Sequence, residues 1–308
     1  MTELLDSWCR SLRAANRSPA TIDSYRADFT HLARHLIGDP ATATKADVER
    51  FLVACRDQGL ADATVARRYR SLQQFYKWCE EEGEVDVNPM ARMKPPTVAD
   101  RPPDIIDGAD FAKLLEAARG ERVGGERRKT RTNAADRGRS FDFECRRDEA
   151  ILVMLWTTGV RAGEIMGLQT TDIDLNGEVF TVTGKGNRMR VVAIMPQASE
   201  ALDRYLRARR KHDAAREPWL WLGRRGRLTS DGLRQMLDRR CADAGIAPIN
   251  PHRFRHTFAH NAKRLGMSDE ALMVVAGWNS PQMLARYGRS AAAERAREQH
   301  RKLFGGGL

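Results

Sequence analysis

The sequence predicts a mainly α-helical protein with a small antiparallel β-sheet, arranged as two domains. Three observations lead to this prediction: helical spacing of apolar residues dominates both ends of the chain, one pair of β-branched segments lies near its middle, and a proline-rich stretch separates the two parts. A chain of 308 residues is long enough for two domains that each bury a core of their own.

Residues 1–92 show helical patterns only, which predicts a bundle of about four helices. The first is expected at 4–15. Ser18, followed by a proline, opens the next, and Thr44 is a candidate N-cap for the third. Asp62 is a candidate N-cap for the fourth. Apolar side chains at helical spacing predict the core-facing positions Ile22, Tyr25, Phe29, Leu32, Leu36, Val48, Phe51, Leu52, Cys55, Val65, Tyr69, Leu72, Phe75, Tyr76 and Cys79.

A proline-rich stretch marks the boundary between the domains. Five prolines lie between residues 88 and 103, and proline fixes φ and removes a backbone donor. We therefore expect an extended linker at 93–103 and a second domain at 104–308. Within that domain, residues 119–147 hold ten basic and five acidic side chains, which predicts a mobile surface insertion near 120–147. A solvated loop without a partner and a loop that contacts a nucleic-acid backbone both remain open.

The rest of the second domain is predicted as helices around one hairpin. A buried helix is expected at 148–158, where apolar residues dominate. The segments 180–183 and 189–194 are β-branched and partly alternating, as strands are, and the glycine-containing segment 184–188 between them predicts a hairpin turn. Toward the C-terminus the pattern is helical again.

The charge balance favours a polyanionic partner. Lys and Arg number 52 against 41 Asp and Glu, a formal net charge of +11, and such a balance points to nucleic acid first. No basic N-terminal region precedes an apolar stretch, and the longest apolar run, 150–156, is too short to span a bilayer. The five scattered cysteines form no CxxC pair, so we expect small buried or half-buried side chains in a reducing cytoplasm.

Five polar residues form a set suited to attack on a phosphodiester. Arg161 and Arg255 can clamp phosphate oxygens, because a guanidinium presents its donors as a planar fork. Lys185 or His252 can move protons. Tyr287, late in the chain, can be the nucleophile. Lys185 also lies between two glycines in the predicted turn, and glycines let a backbone come close to a ligand.

The histidines of this set allow a second interpretation. His252, His256 and His260 recur every four residues, which puts three imidazoles on one helix face. Such a face is one arrangement that binds a metal ion. No carboxylate or cysteine lies near them in sequence, and Arg253 and Arg255 add positive charge. The other interpretation places His252 and Arg255 near a helix N-terminus, where anions bind well, with His256 and His260 as packing or capping residues.

The order of the motifs is more informative than any one of them. Five motifs follow one another: Thr-Gly-Val-Arg-Ala-Gly-Glu at 158–164, Gly-Lys-Gly at 184–186, His-Arg-Phe-Arg-His at 252–256, Gly-Trp at 277–278, and Tyr287. This series resembles the tyrosine recombinase (phage integrase) family, with the layout of a Xer-like or mobile-element integrase. The resemblance is strong over residues 104–290, and the helical segment 1–92 resembles the family's SAM-like core-binding domain more loosely.

The resemblance implies a catalytic set, whose members are Arg161, Lys185, His252, Arg255, Trp278 and Tyr287, with Glu164 in support. Tyr287 would attack the phosphate, Lys185 would protonate the leaving 5′ oxygen, and the arginines would stabilise charge on the non-bridging oxygens. Trp278 stands where histidine is usual, which leaves hydrogen bonding and packing at that position, and Phe254 replaces a common leucine. DNA contacts are expected from Arg67, Arg68, Arg188 and Arg253.

The implied activity is site-specific recombination of DNA through a 3′-phosphotyrosyl intermediate, in integration, excision or resolution. Because the bond energy stays in the phosphotyrosine, the resemblance implies no metal or other cofactor. The partners would be double-stranded DNA with paired half-sites and further copies of the chain, forming a homotetramer on synapsed DNA from a free monomer; no membrane is implied. A type IB topoisomerase and a non-catalytic DNA-binding protein remain alternatives. A tail helix expected at 291–304, suited to docking on a neighbouring protomer, favours the recombinase.

Overall fold

A computed structural model describes the chain in residues 2–36, 38–99, 103–120, 134–184, 188–278, 280–281, 284, 296–297, 300–301 and 304. The chain divides into two compact units, Met1–Arg101 and Pro102–Leu308, and the division falls inside the proline-rich stretch. Mainly helical structure with a small antiparallel sheet confirms the predicted fold class. Within the described ranges, every helix is too short or too polar to cross a membrane.

The described part of the first unit contains the helices α1 (Thr2–Ala14), α2 (Pro19–His35), α3 (Lys45–Asp57) and α4 (Asp62–Glu81), with a 3₁₀ turn at Pro40–Thr42. α2 begins as predicted, because the Ser18 hydroxyl accepts a backbone N–H of the first turn at 3.3 Å. α3 does so too, since Thr44 and Asp47 form a capping box. The prediction for α4 was wrong: its N-cap is Ala61, without a side-chain hydrogen bond, and Asp62 is already helical. A carboxylate in the first turn still interacts favourably with the helix dipole.

The apolar faces of these helices meet in one core. Phe75 of α4 is fully buried, and its ring centroid lies 4.5 Å from that of Phe29 on α2. A carboxylate is buried as well: Asp28 on α2 accepts hydrogen bonds from Arg67 and Ser71 on α4, at 2.5 and 2.7 Å, and so links the two helices. The predicted core positions that the structure finds buried are Ile22, Phe29, Leu32, Val48, Phe51, Leu52, Cys55, Val65, Tyr69, Leu72, Phe75, Tyr76 and Cys79.

The second unit combines helices with two small sheets. Its described elements, in chain order, are α5 (Gly108–Ala118), α6 (Ala134–Thr158), α7 (Ala162–Met166), β1 (Ile173–Asp174), β2 (Val179–Thr183), β3 (Met189–Ala193), α8 (Pro196–Arg209), β4 (Leu222–Gly223), β5 (Gly226–Arg227), α9 (Ser230–Ala244), α10 (Pro251–Arg264) and α11 (Asp269–Ala276).

The predicted hairpin is confirmed as β2 and β3. They pair antiparallel from Val179 opposite Ala193 to Thr183 opposite Met189, and β1 adds a third strand beside β2. The backbone N–H of Gly184 donates to the carbonyl of Arg188 at 2.8 Å, just outside the strands. Residues 185–187, which include the lysine of the predicted turn, lie outside the described ranges. The short pair β4 and β5 has too few residues to leave an alternating pattern in the sequence.

The basic segment is helical over 134–147, which corrects the prediction of a mobile insertion there. α6 begins at Ala134 and not near residue 148, while residues 121–133 lie outside the described part of the chain. Its high charge conceals the helix in the sequence, but the last arginine of the segment has buried partners inside the protein. Arg147 and Arg240 both donate to the fully buried carboxylate of Asp148, at 2.7 and 2.9 Å. Arg147 therefore lies in the interior of the unit instead of on a solvated loop.

α6 provides the centre of the second unit and packs against α5, α8 and α10. The main core includes Ile151, Leu152, Met154, Leu155, Leu202, Tyr205, Trp221, Leu237 and Phe254. A smaller cluster joins α10 to α11 and consists of Ala259, Ala262, Leu272, Ala276, Trp278 and Leu284. All five cysteines are free and buried, as predicted. The smaller cluster fixes the end of α11 beside α10, where described residues of the sequence motifs come together.

Candidate active site

The site begins at the corner between α6 and α7. Gly159 has φ of +59°, and a Cβ there would lie 2.5 Å from a ring carbon of Phe258 on α10, so only glycine allows this approach. Its carbonyl accepts a hydrogen bond from Arg255 Nη1 at 3.0 Å. Two residues later, Arg161 is the N-cap of α7. The Thr-Gly-Val-Arg sequence thus turns the chain and brings two motif arginines to one corner.

Glu164 on α7 is the shared acceptor of the site, and its side chain is 4% exposed. The carboxylate accepts from the backbone N–H and from Nη1 of Arg161, at 2.8 and 2.7 Å. Arg190 on β3 donates to both of its oxygens, at 2.9 and 2.8 Å. Burial by itself raises the pKa of Glu164, but the hydrogen bonds from Arg190 and then Arg161 outweigh it and lower the pKa from 4.5 to about 2. The carboxylate is therefore a permanent anion at neutral pH.

Three successive backbone carbonyl groups at the C-terminal end of α11 accept hydrogen bonds from three different arginines. Val275 accepts from Arg190 Nε at 3.1 Å, Ala276 from Arg255 Nη2 at 2.6 Å, and Gly277 from Arg161 Nη2 at 3.2 Å. A helix leaves its last carbonyls without intrahelical partners and carries a partial negative charge at this end. The end of α11 therefore binds cations well. The guanidinium groups that it binds come from the N-cap of α7, from β3 and from α10.

Two further features tighten this arrangement. The Arg255 guanidinium, itself buried, lies over the ring of Trp278 with its central carbon 5.1 Å from the centroid, a cation–π contact. Gly277 adopts a left-handed conformation as C-cap of α11, and a Cβ on it would lie 2.8 Å from Arg190 Nη1. The Gly-Trp pair thus ends the helix, allows the close approach of Arg190 and covers Arg255.

The electrostatic balance of the site suits an anionic ligand. Three guanidinium groups and one carboxylate leave a formal charge of three minus one, or +2. The side chain of Arg161 is 39% exposed, whereas that of Arg190 is 14% exposed. Arg161 is therefore the most accessible donor of this cluster, and a phosphate placed there would meet preorganised positive charge.

The three histidines occupy different environments on α10. His252 is exposed in the first turn, where Asn250 caps the helix, and its ring contacts that of His256 edge-on at 4.3 Å. His260 is buried, as expected of a packing residue. Among the described residues, no group of three or more His, Cys, Asp or Glu side chains has an arrangement that could hold a metal ion.

Two members of the predicted catalytic set, Lys185 and Tyr287, lie outside the described residues. The structure brings Arg161, Glu164 and Arg255 together at the end of α11, with Trp278 directly after it. His252 lies on the same helix as Arg255, one turn away.

The arginines expected to contact DNA differ in their exposure and in the partners that they bind within the protein. Arg188 is exposed beside the hairpin. Arg67 stays partly exposed while it pairs with Asp28. Arg68 is nearly buried and donates to Cys55 Sγ at 3.0 Å, and Arg253 pairs with Asp104 at 3.0 Å. The last two therefore have structural partners within their own unit.

Sequence reasoning missed Arg190 and the carbonyl groups that it and its neighbours bind. A signal for Arg190 existed: it stands between Met189 and Val191, both exposed on β3, so strand alternation turns Arg190 to the buried side with Val192. An arginine at an inward strand position requires a buried anion or a set of acceptors. The carbonyl acceptors leave no such signal, because every residue has one.

Comparison with known proteins places these features in a family. Residues 134–294 match the model of the phage integrase family, and residues 5–83 match the phage integrase N-terminal SAM-like domain. The chain is 31% identical over 261 residues to tyrosine recombinase XerC of Corynebacterium efficiens, covering 84% of this chain and 77% of that relative. It is 33% identical over 259 residues to tyrosine recombinase XerD of Mycobacterium leprae, covering 78% and 77%.

Solved structures show the same fold at lower identity. The integrase of the Tn1549 transposon, in complex with circular intermediate DNA, has a TM-score of 0.71 at 18% identity and covers 97% of this chain and 99% of that one. A lambda integrase tetramer bound to a Holliday junction has a TM-score of 0.66 at 17% identity, covering 91% and 77%.

Proposed function

This chain belongs to the phage integrase family, and from that premise we propose that it is a site-specific tyrosine recombinase of double-stranded DNA. It cleaves a strand, holds the end as a 3′-phosphotyrosyl ester, and rejoins that end to a new 5′ hydroxyl. The observation that carries the proposal is the guanidinium cluster, in which Arg161 and Arg255 bind successive carbonyls at the end of α11. We call Arg161 and Arg255 the phosphate clamp. α11 binds both arginines of this clamp and precedes the proposed nucleophile Tyr287 in sequence.

In the proposed reaction, the phenolic oxygen of Tyr287 attacks the phosphorus and the bond to the 5′ oxygen breaks. The tyrosine proton passes to a base, for which His252 is the candidate, and Lys185 gives a proton to the leaving 5′ oxygen. Arg161 and Arg255 stabilise the charge that grows on the non-bridging oxygens. Rejoining runs the same steps in reverse with the 5′ hydroxyl of another strand, so one phosphodiester replaces another and no external energy source is consumed.

Preorganisation supports these roles. A donor that is already fixed when the transition state forms contributes more than one that must reorient, and loss of one such donor costs about a hundredfold to a thousandfold in rate. Arg255 is fixed by two carbonyls and by Trp278, and Arg161 by Glu164 and Gly277. Both guanidinium groups are therefore held in place by the protein before DNA binds.

We also propose how the chain divides its contacts with DNA. Residues 1–92 form the core-binding domain, 93–103 the linker and 104–308 the catalytic domain. Arg67 and Arg188 keep exposed donors for phosphates, which makes binding salt-sensitive. Strand exchange takes place in a homotetramer on synapsed half-sites, as the tetramer seen for lambda integrase suggests. The cytoplasm is the proposed location, since bacteria such as those that carry its relatives keep their DNA there.

The decisive experiment concerns the nucleophile. DNA with a nick beside the scissile phosphate traps the covalent intermediate, because the short 5′ product diffuses away. Tyr287→Phe removes only the hydroxyl, so it should bind DNA like the wild type and form no denaturation-resistant adduct. Tyr205→Phe is a matched control in the second unit, because its buried hydroxyl donates to the Leu220 carbonyl away from the site. An adduct formed by Tyr287→Phe would show that another residue attacks.

A second experiment mixes the protein with a supercoiled plasmid that carries paired candidate sites. It distinguishes the recombinase from the two alternative functions. A type IB topoisomerase would relax the supercoiled plasmid without recombined product. A non-catalytic binder would shift the DNA in a gel without cleaving it. Recombined product that depends on Tyr287 supports the recombinase over both.

A further inference from the structure

Arg190 has no role in the proposed chemistry, yet all three nitrogens of its guanidinium are engaged in the site. Nη1 and Nη2 each donate to one oxygen of Glu164, at 2.9 and 2.8 Å, and Nε donates to the carbonyl of Val275 at 3.1 Å. Its side chain is 14% exposed. Because its charge is paired with the buried carboxylate of Glu164 through both terminal nitrogens, we expect Arg190 to act through the residues that it binds.

We propose that Arg190 is the positioning residue of this site: it fixes the carboxylate that aims Arg161 and the helix end that receives Arg161 and Arg255. The inference rests on the proposed function, because its consequence is a change in the rate of DNA cleavage. It adds a fourth charged group to the set formed by Arg161, Glu164 and Arg255.

The shared carboxylate explains why Arg161 depends on Arg190. Glu164 Oε1 accepts from Nη1 of both arginines. The fork from Arg190 fixes the plane of the carboxylate, and a bidentate pair of this kind is strongly directional. Without it, the buried anion would have Arg161 as the main cation at hand, and Arg161 would turn toward both carboxylate oxygens. Its guanidinium would then leave the orientation in which Nη2 reaches Gly277.

The second contact explains why Arg190 also acts on the end of α11. Arg190 ties β3 to Val275, and the next two carbonyls, of Ala276 and Gly277, hold Arg255 and Arg161. A shift of α11 therefore moves both acceptors at once.

The first test measures single-turnover cleavage of the nicked DNA by the full-length protein. Arg190→Lys keeps the charge but loses the planar fork, so cleavage should fall on the order of a hundredfold, as expected for a small misplacement of a catalytic group. The dissociation constant for DNA should stay within about threefold. Arg209→Lys is the matched control: Arg209 is more deeply buried than Arg190 and donates to four carbonyls, those of Ala215, Glu217, Trp219 and Leu220, on a loop after α8. It should lose stability without losing cleavage rate.

Two further measurements separate positioning from mere stabilisation. Since Arg190 acts partly through Arg161 and partly through Arg255, the double variant Arg161→Ala/Arg190→Lys should lose less cleavage rate than the product of the two single losses. A substrate with a neutral methylphosphonate at the scissile position needs less positive charge, so both single variants should regain much of their lost rate on it. A variant that is merely unstable gains nothing from a neutral substrate.

The outcomes are distinct. Wild-type cleavage by Arg190→Lys, a loss matched by Arg209→Lys, or losses that multiply in the double variant would each overturn the positioning role while leaving the recombinase intact. A wild-type protein that forms no Tyr287-dependent adduct would remove the proposed function and this inference with it.

Discussion

Replacing Glu164 by glutamine should destabilise the protein by about 3 kcal/mol at pH 7. The change keeps the size and polarity of the side chain and removes its charge, which resembles protonation. A pKa lowered from 4.5 to about 2 measures how much better the site holds the charged form, and at 1.36 kcal/mol per pKa unit the difference is about 3 kcal/mol. Since the side chain is 4% exposed, solvent screens little of this interaction.

The same pKa predicts how the effect depends on pH. A carboxyl whose pKa is lower in the folded state stabilises the protein above its unfolded pKa, and this contribution is lost as the pH falls through the folded pKa. The stability gap, which is the difference in the free energy of unfolding between wild type and Glu164→Gln, should therefore shrink from about 3 kcal/mol at pH 7 to about 1.5 kcal/mol at pH 3.

Urea unfolding of the full-length protein at both pH values measures the gap. Asp203→Asn is the control, because Asp203 pairs with Arg207 at 3.1 Å on the surface of α8 and is 50% exposed; its loss should cost less than about 1 kcal/mol. Equal stabilities of Glu164→Gln and wild type at pH 7, or a gap that stays constant down to pH 3, would refute the reasoning.

Three other predictions follow from the site and the tail. Arg255→Ala should slow single-turnover cleavage by about a hundredfold or more, whereas His256→Ala should act mainly on thermal stability, and equal rate losses in two folded variants would contradict these roles. Gly277→Ala should lose both stability and cleavage rate because its Cβ displaces Arg190. The control Gly245→Ala changes a left-handed C-cap with open space around it and should lose only about 1 kcal/mol of stability. Equal cleavage rates of the two variants would show that displacement of Arg190 has no effect on the reaction. Deletion of residues 291–308 should preserve single-site DNA binding in gel shifts but abolish strand exchange between paired sites, and full recombination by the truncated protein would exclude the docking role of the tail.

The sequence was sufficient where local rules decide the structure. Ser18 and Thr44 begin helices as their side chains predict, because an oxygen beside the first turn accepts a backbone N–H. The strands on either side of Gly184 follow from β-branched composition and a turn between them. The same rules were insufficient at Asp62, which enters its helix instead of capping it.

Charge misled the prediction where the partners are distant in sequence. Arg147 looked like part of a solvated loop, but its neighbour Asp148 is buried and also binds Arg240, 92 positions further along the chain. Arg190 was overlooked because its acceptors, Glu164 and Val275, lie 26 and 85 positions away. Motif order identified the arginines of the clamp, but the backbone carbonyls that hold them could come only from the folded chain.

The carbonyls at the end of α11 also set when the site can first exist during synthesis of the protein. Arg161 precedes Gly277 by 116 positions, and the bond between Arg255 and Ala276 spans 21. Since domains generally fold as units while the chain grows from its N-terminus, a ribosome-bound chain that has not yet released α11 lacks the acceptors for all three guanidinium groups. The clamp is therefore completed only as the segment leading to Tyr287 emerges, so an unfinished chain can hold its arginines near nucleic acid without an assembled cleavage site.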